Sequence, residues 1–165
     1  MSNDTNALAA MLEPQAVQVD VDLASRKQAF EFAARLLAQQ LGLTARDLVE
    51  HFFERERLGS TALGCGVAIP HARVAGLREP CAAVLRLKSP IDYGGPDDEP
   101  VVLLIFMLVP QLATQEHLQS LAEITEMLSE PALRDSMLAA SEAGQLYRAL
   151  VGWRASARDD SGLRR

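Results

Sequence analysis

The stretch "VVLLIFMLV", residues 101–109, is apolar at every position. A strand with one face in water alternates apolar with polar residues, so an unbroken apolar run of this length marks a strand covered on both faces. It has less than half of the roughly 20 residues that a helix needs to cross a membrane, so its cover must be protein. Helical patterns stand on either side of it in the chain. Upstream, Ser25 can cap a helix from Arg26 to about Leu41, with Phe30, Ala33, Ala34, Leu37 and Leu41 on one stripe and Gly42 as its stop. Thr44 starts a second helix, striped by Leu48, Val49, Phe52 and Phe53, that stops near Leu58 because Gly59 follows. Downstream, Thr114 can cap a helix carrying Leu118, Leu121, Ile124 and Leu128. Pro131 suits the first turn of another through about Ala140, and Ser141 can cap the last, with Leu146, Leu150 and Val151.

Two further strands are legible. Val17, Val19 and Val21 alternate with polar residues, and Cys81, Ala83, Leu85 and Leu87 share one face of a strand within 81–88. "DYGGPDDEP", residues 92–100, reads as a loop. Strands interleaved with helices around one doubly covered strand predict a three-layer α/β/α domain. The expected organisation is a flexible N-terminus over 1–12, one domain over 13–152 and a polar, flexible tail over 153–165.

Composition narrows the function classes. A chain of 165 residues with 48% hydrophobic and 23% charged residues has enough apolar content for one soluble domain without disulfides. A net charge of −6 speaks against a general nucleic-acid binder, which needs a basic face to replace counterions around phosphates. The N-terminus carries Asp4 and no positive charge ahead of its short apolar stretch, unlike a secretory signal, and no run is long enough for membrane insertion. Cys65 and Cys81 form no CxxC pair, so neither a disulfide framework nor a metal ribbon is implied, and a reducing cytoplasm is expected.

Candidate chemistry collects in "GVAIPHARV", residues 66–74. Val67 to Ile69 read as a short buried strand whose ladder ends at Pro70, which has no N–H to donate. His71 then stands just past a strand end, and a neutral imidazole is a good nucleophile near pH 7. Arg55, within "ERER" at 54–57, closes the second helix. The glycine-rich loop 59–66 that follows can cradle a phosphoryl group with backbone N–H groups up to Gly66, the Ser60 and Thr61 hydroxyls and one guanidinium. It is not a Walker A loop, since no Gly-Lys-Ser or Gly-Lys-Thr appears, nor does "GSTALG" match a nucleophile elbow. His117 falls in the first turn of the helix after the central strand. His51 lies off the apolar stripe and reads as solvated or as a neighbour of Arg55, and Cys65 as a small apolar filler.

With "RERLGSTALGCGVAIPHARV" in view, the chain resembles enzyme IIA of the fructose and mannitol class of the bacterial phosphoenolpyruvate-dependent phosphotransferase system, and is most similar to its stand-alone nitrogen-regulatory branch. The family pattern is an Arg-Glu pair, a Gly-Ser-Thr loop and a glycine-rich lead into Ala-Ile-Pro-His. Here these are Arg55 and Glu56, Gly59 to Thr61, Gly64 and Gly66, and Ala68 to His71. A His-Leu pair opening a helix after the apolar strand is the second signature, matched by His117 and Leu118. The resemblance implies an α/β/α sandwich about a central mixed sheet, like the phosphotransferase/anion transport proteins. It implies a cytoplasmic phosphocarrier in which His71 takes a phosphoryl group on Nε2 from a phosphorylated HPr-type protein. Arg55 would neutralise the phosphoryl oxygens, and His117 would bond to His71 or to the phosphate. The phosphorylation state would then regulate target proteins; the alternatives are a sugar-specific IIA that passes the group to a IIB domain, or a non-catalytic binding module of the same fold. Transfer between two imidazoles rests on in-line positioning and cationic stabilisation, so no metal or cofactor is required in principle. The family usually has glycine after the histidine, where this chain has Ala72.

Overall fold

Strand β6 (Val101–Pro110) has both of its edges paired. The computed structural model describes residues 5–94, 99–112 and 114–154. In chain order the other elements are β1 (Leu12–Val21), α1 (Arg26–Leu41), α2 (Ala45–Arg57), β2 (Ala62–Gly64), β3 (Val67–Ala68), β4 (His71–Val74) and β5 (Cys81–Ile91), with α3 (Gln115–Leu128), α4 (Pro131–Ala139) and α5 (Ala143–Val151) after β6. β5 pairs antiparallel with one edge of β6 and β1 lies parallel outside it. On the other edge β3 and β4 run parallel to β6 one after the other, and β2 folds back antiparallel on β3. The result is a mixed six-stranded sheet flanked by five helices.

Both faces of β6 are covered, as its composition requires. On one face the Phe106 ring stands edge-on to Phe30 of α1 and Phe52 of α2, with centroids 5.7 and 5.3 Å away. On the other face, Arg86 of β5 sits opposite Leu103 and reaches the end of α4, where Nη1 donates to Met137 O at 2.9 Å and to Ala140 O. A cation at a helix C-terminus satisfies carbonyls that have no partner within the helix.

Helix α1 has the bounds that its capping residues predict: Ser25 Oγ accepts from Gln28 N at 3.2 Å, and Gly42 takes φ 67° and donates to Ala38 O at 2.9 Å. The strands depart further from expectation. Val17 and Val21 are buried but Val19 is not, because the register of β1 on β5 shifts between Gln18 and Val21 and Asp20 adopts φ 54°. Such a bulge turns the strand and breaks its two-residue period. Loop 59–66 contains β2 and the turn of the β2–β3 hairpin, made at Cys65 (φ 55°) and Gly66 (φ 79°), and Cys65 is exposed rather than a filler. Helix α5 takes Glu142 as its cap instead of Ser141, whose N–H and hydroxyl both bond to Gln145 Oε1.

Residues 5–12, expected within a flexible N-terminus, are packed onto the domain. Leu8 is fully buried, and Asn6 Nδ2 donates to Leu150 O at 2.8 Å and Trp153 O at 3.0 Å beyond the end of α5. Trp153, at the expected start of the tail, is itself buried, with Nε1 donating to Glu130 Oε2 at 2.7 Å. Residues 1–4, 95–98 and 155–165 of the expected terminus, loop and tail lie outside the described residues. Among the described residues no helix is long and apolar enough to cross a membrane.

Asn6→Ala removes the two bonds that tie residues 5–12 to Leu150 O and Trp153 O and, at about 0.5–1.5 kcal/mol per hydrogen bond, is expected to lower the unfolding free energy by about 1–3 kcal/mol. An unchanged urea midpoint would show that residues 5–12 add nothing to the domain.

Candidate active site

β3 and β4 keep one register against β6, with Val67 opposite Leu103, Ala68 opposite Leu104, His71 opposite Met107 and Ala72 opposite Leu108. Pro70 has no N–H to give, yet its carbonyl still accepts from Met107 N at 2.9 Å. The proline interrupts the ladder without ending it, so His71 is the first residue of β4 and not a loop residue beyond a strand. Within β4, Ala72 and Val74 are buried, while His71 is half-buried and Arg73 exposed. Alternation thus sends the imidazole and the guanidinium to the same side. Ala72 lies in this strand and not among the residues with positive φ, so the site has no backbone need for glycine.

His71 and Arg73 line a cleft of about 480 Å³ walled by the last turns of α2 and the first turn of α3. Helix α2 divides its faces by spacing. Leu48, Phe52 and Glu56, four apart, are buried, and His51, Glu54, Arg55 and Leu58, at three- and four-residue intervals, line the cleft. Helix α3 contributes His117, Leu118 and Leu121. The structure therefore brings Arg55, His71 and His117 together. It adds His51 and Arg73, which local pattern does not place there: His51 lies off the apolar stripe of α2, a position that by itself faces water, and the four residues of β4 are too few for their alternation to show.

It does not bring the expected phosphate loop with them. Thr61 is buried, and its hydroxyl is taken by Glu56 and Tyr93. Ser60 is exposed, with Oγ accepting from Ala62 N at 3.2 Å. Gly66 gives its carbonyl to Val102 N at 2.9 Å and Leu103 N at 3.1 Å, at the far end of β6 from Met107. None of the three lines the cleft. The hairpin accounts for this, since pairing β2 with β3 carries residues 59–66 along the sheet instead of around His71.

The tautomers of the two histidines follow from their partners. His71 Nδ1 lies 2.8 Å from Ile69 O. A carbonyl oxygen can only accept, so Nδ1 carries the proton and Nε2 of the neutral ring keeps its lone pair. His117 is the reverse. Its Nδ1 accepts from Thr114 N at 3.1 Å, which caps α3 and leaves the proton on Nε2. Among the described residues this ring bonds to Thr114 and not to His71. Arg55 lines the cleft while its Nη1 donates to Gly59 O at 2.9 Å. Burial is the main cause that holds His71 below the ordinary histidine value of 6.5; the bond to Ile69 pulls the other way and the Arg55 charge pushes it further down. The ring is neutral at pH 7, with a nucleophilic nitrogen in a cleft that holds two guanidiniums.

Residues 10–152 match the model of the family "Phosphoenolpyruvate-dependent sugar phosphotransferase system, EIIA 2". The chain belongs to this family. A nitrogen regulatory protein of Pseudomonas aeruginosa is 41% identical over 145 residues, covering 87% of this chain and 94% of that one. The crystal structure of nitrogen regulatory protein IIA-Ntr from Neisseria meningitidis is 38% identical with a TM-score of 0.81, covering 86% of this chain and 97% of that one. The Escherichia coli mannitol enzyme IIA, solved as a complex with phosphorylated mannitol enzyme IIB, shares the fold with a TM-score of 0.68 at 18% identity, over 87% of this chain and all of that one. The EIIA fold and its place as a phosphotransfer component of this system are therefore the chain's own.

A depressed histidine binds fewer protons in the folded than in the unfolded chain, so its contribution to stability is present above pH 6.5 and declines as pH falls below it. An NMR titration of the ring is expected to give a midpoint below 6.5 for His71, and a midpoint above that value would contradict the desolvated site.

Proposed function

We propose that this EIIA protein is a phosphocarrier of nitrogen-regulatory type, in which His71 Nε2 accepts a phosphoryl group from a phosphorylated HPr-type protein in the cytoplasm. The carrying observation is the Nδ1–H bond to Ile69 O, which frees Nε2 for attack and fixes the ring plane. In the transfer the Nε2 lone pair forms a bond to phosphorus, the nitrogen–phosphorus bond of the donor histidine breaks, and the donor nitrogen keeps that electron pair. The transition state spreads negative charge over three oxygens and needs little from the protein beyond alignment and positive charge. Arg55 and Arg73 supply the charge, and His117, with its proton on Nε2, supplies a neutral donor.

The rim of the cleft supports a protein donor. Leu58 is 85% exposed and Leu118 54% exposed, and both line the mouth. Docking over them expels water from the reacting groups and strengthens the electrostatics inside. The overall charge of −6 does not oppose this, because a local patch governs encounter. The regulatory assignment is supported by the nitrogen regulatory relatives at 41% and 38% identity. In this reading phosphorylated and unphosphorylated His71 present different charge at the docking surface, and target proteins distinguish them.

Incubation with phosphoenolpyruvate, enzyme I and an HPr-type donor is expected to add about 80 Da, one phosphoryl group, and His71→Ala to abolish it. Labelling of His71→Ala would assign the chemistry to another residue. Arg55→Lys keeps the charge but loses the planar fork, and the loss of a charge-assisted hydrogen bond of about 1.5–3 kcal/mol slows transfer roughly tenfold to a hundredfold. Rapid passage of the label to fructose- or mannitol-type IIB proteins would replace the regulatory reading with sugar transport.

A further inference from the structure

We propose that Glu56 is the positioning residue of this site, a buried carboxylate that fixes both the His71 ring and the Arg55 guanidinium by holding Thr61. The inference rests on the phosphocarrier reading for its kinetic consequence, and on bond geometry alone for its structural one.

Glu56 follows Arg55 but points to the opposite, buried face of α2. Its Oε2 accepts from Thr61 N at 3.3 Å, and its Oε1 accepts from Tyr93 OH at 2.8 Å and from Thr61 Oγ1. The Thr61 and Tyr93 hydroxyls are 2.9 Å apart, so three donors converge on one carboxylate. From Thr61 the constraint runs to the nucleophile through two peptide groups. Ile69 N donates to Thr61 O at 3.0 Å, and Ile69 O accepts from His71 Nδ1 at 2.8 Å. A second path runs to the cation. Gly59 lies between Glu56 and Thr61, its N–H donates to Glu56 O at 3.1 Å, and its carbonyl holds Arg55 Nη1 at 2.9 Å. Displacing Thr61 would thus move the ring's anchor and the guanidinium's anchor together.

Tyr93 is held in turn. Its carbonyl accepts from Arg26 Nη1 at 3.0 Å, and the Arg26 guanidinium stands 5.6 Å from its ring centre and 5.8 Å from that of Phe53. A carboxylate is an expensive way to fill a core, because replacing buried charged groups with apolar ones of similar volume often leaves stability unchanged or higher. What an apolar side chain cannot do is accept three hydrogen bonds from two directions. Transfer between imidazoles depends on alignment, and a displacement of about 1 Å costs on the order of a hundredfold in rate. The same geometry assigns Thr61 its role, which is to tether the site and not to bind phosphate.

The test uses the full chain as Glu56→Gln, Thr61→Val and Tyr93→Phe. Steady-state transfer from the phosphorylated HPr-type donor is expected to show kcat reduced about tenfold to a hundredfold in Glu56→Gln and Thr61→Val, with KM for the donor unchanged because neither residue reaches the surface that docks. Tyr93→Phe, which leaves Thr61 attached, loses less. Nitrogen-15 NMR of the resting protein is expected to show His71 protonated on Nδ1 in the wild type and a mixture of tautomers in Glu56→Gln and Thr61→Val. Wild-type kcat and tautomer in a folded Glu56→Gln or Thr61→Val would overturn the proposal, as would a loss confined to KM. If Glu56→Gln does not fold, Thr61→Val decides. A wild-type protein that takes no label would refute the phosphocarrier reading, whereas the tautomer measurement would still decide the role of Glu56.

Discussion

Ten successive residues of β6, Val101 to Pro110, need partners for their backbone groups along both edges and apolar cover on both faces. Meeting the first need sets β5 on one edge and the β3–β4 segment on the other. Meeting the second sets α1 and α2 against the Phe106 side and brings α4 to the Arg86 side. The cleft is a by-product of the same constraint. Because β4 follows β3 in unbroken register, His71 must lie beside Met107, at the end of the sheet where α2 finishes and α3 begins.

The break at Ile69 and Pro70 gives that position its chemistry. Of the two residues between the strands, Pro70 gives its carbonyl to Met107 N in the ladder and Ile69 gives its own to the His71 ring. This single bond decides which nitrogen is nucleophilic. Burial then keeps the ring uncharged, and the Arg55 charge acts in the same direction. The network of Glu56, Thr61 and Tyr93 lies beneath, and among the described residues no buried side-chain nitrogen or oxygen is left without a hydrogen-bond partner. Polar groups placed so deep are tolerable only when satisfied in this way.

Much of this was legible in the chain. Helix α1 starts and stops where Ser25 and Gly42 cap it, since a cap acts within one turn of its own position, and α2 lies between Thr44 and Leu58 as its stripe and Gly59 predict, although Thr44 makes no side-chain cap bond. The three-layer arrangement followed from one apolar run, and Arg55, His71 and His117 from their types and the motifs around them. What misled was also local. Gly59 to Gly66 reads as an open phosphate loop because it is rich in glycine, serine and threonine, the composition of a hairpin turn as well. Val19 fits an alternation that a bulge at Asp20 then breaks.

By itself the sequence determined the helices, the caps of α1, the doubly covered strand and the residues able to carry charge or a lone pair. These depend on period, on cap chemistry and on side-chain type, all of which act within a few residues. Only the tertiary structure decided which of those residues meet. That His51 and Arg73 join the cleft, that Thr61 turns inward to Glu56 and Tyr93, and that His71 Nδ1 is the nitrogen spent on a carbonyl follow from the register of segments tens of residues apart. Register is fixed by packing and hydrogen bonding across the whole sheet, and no short stretch of chain contains it.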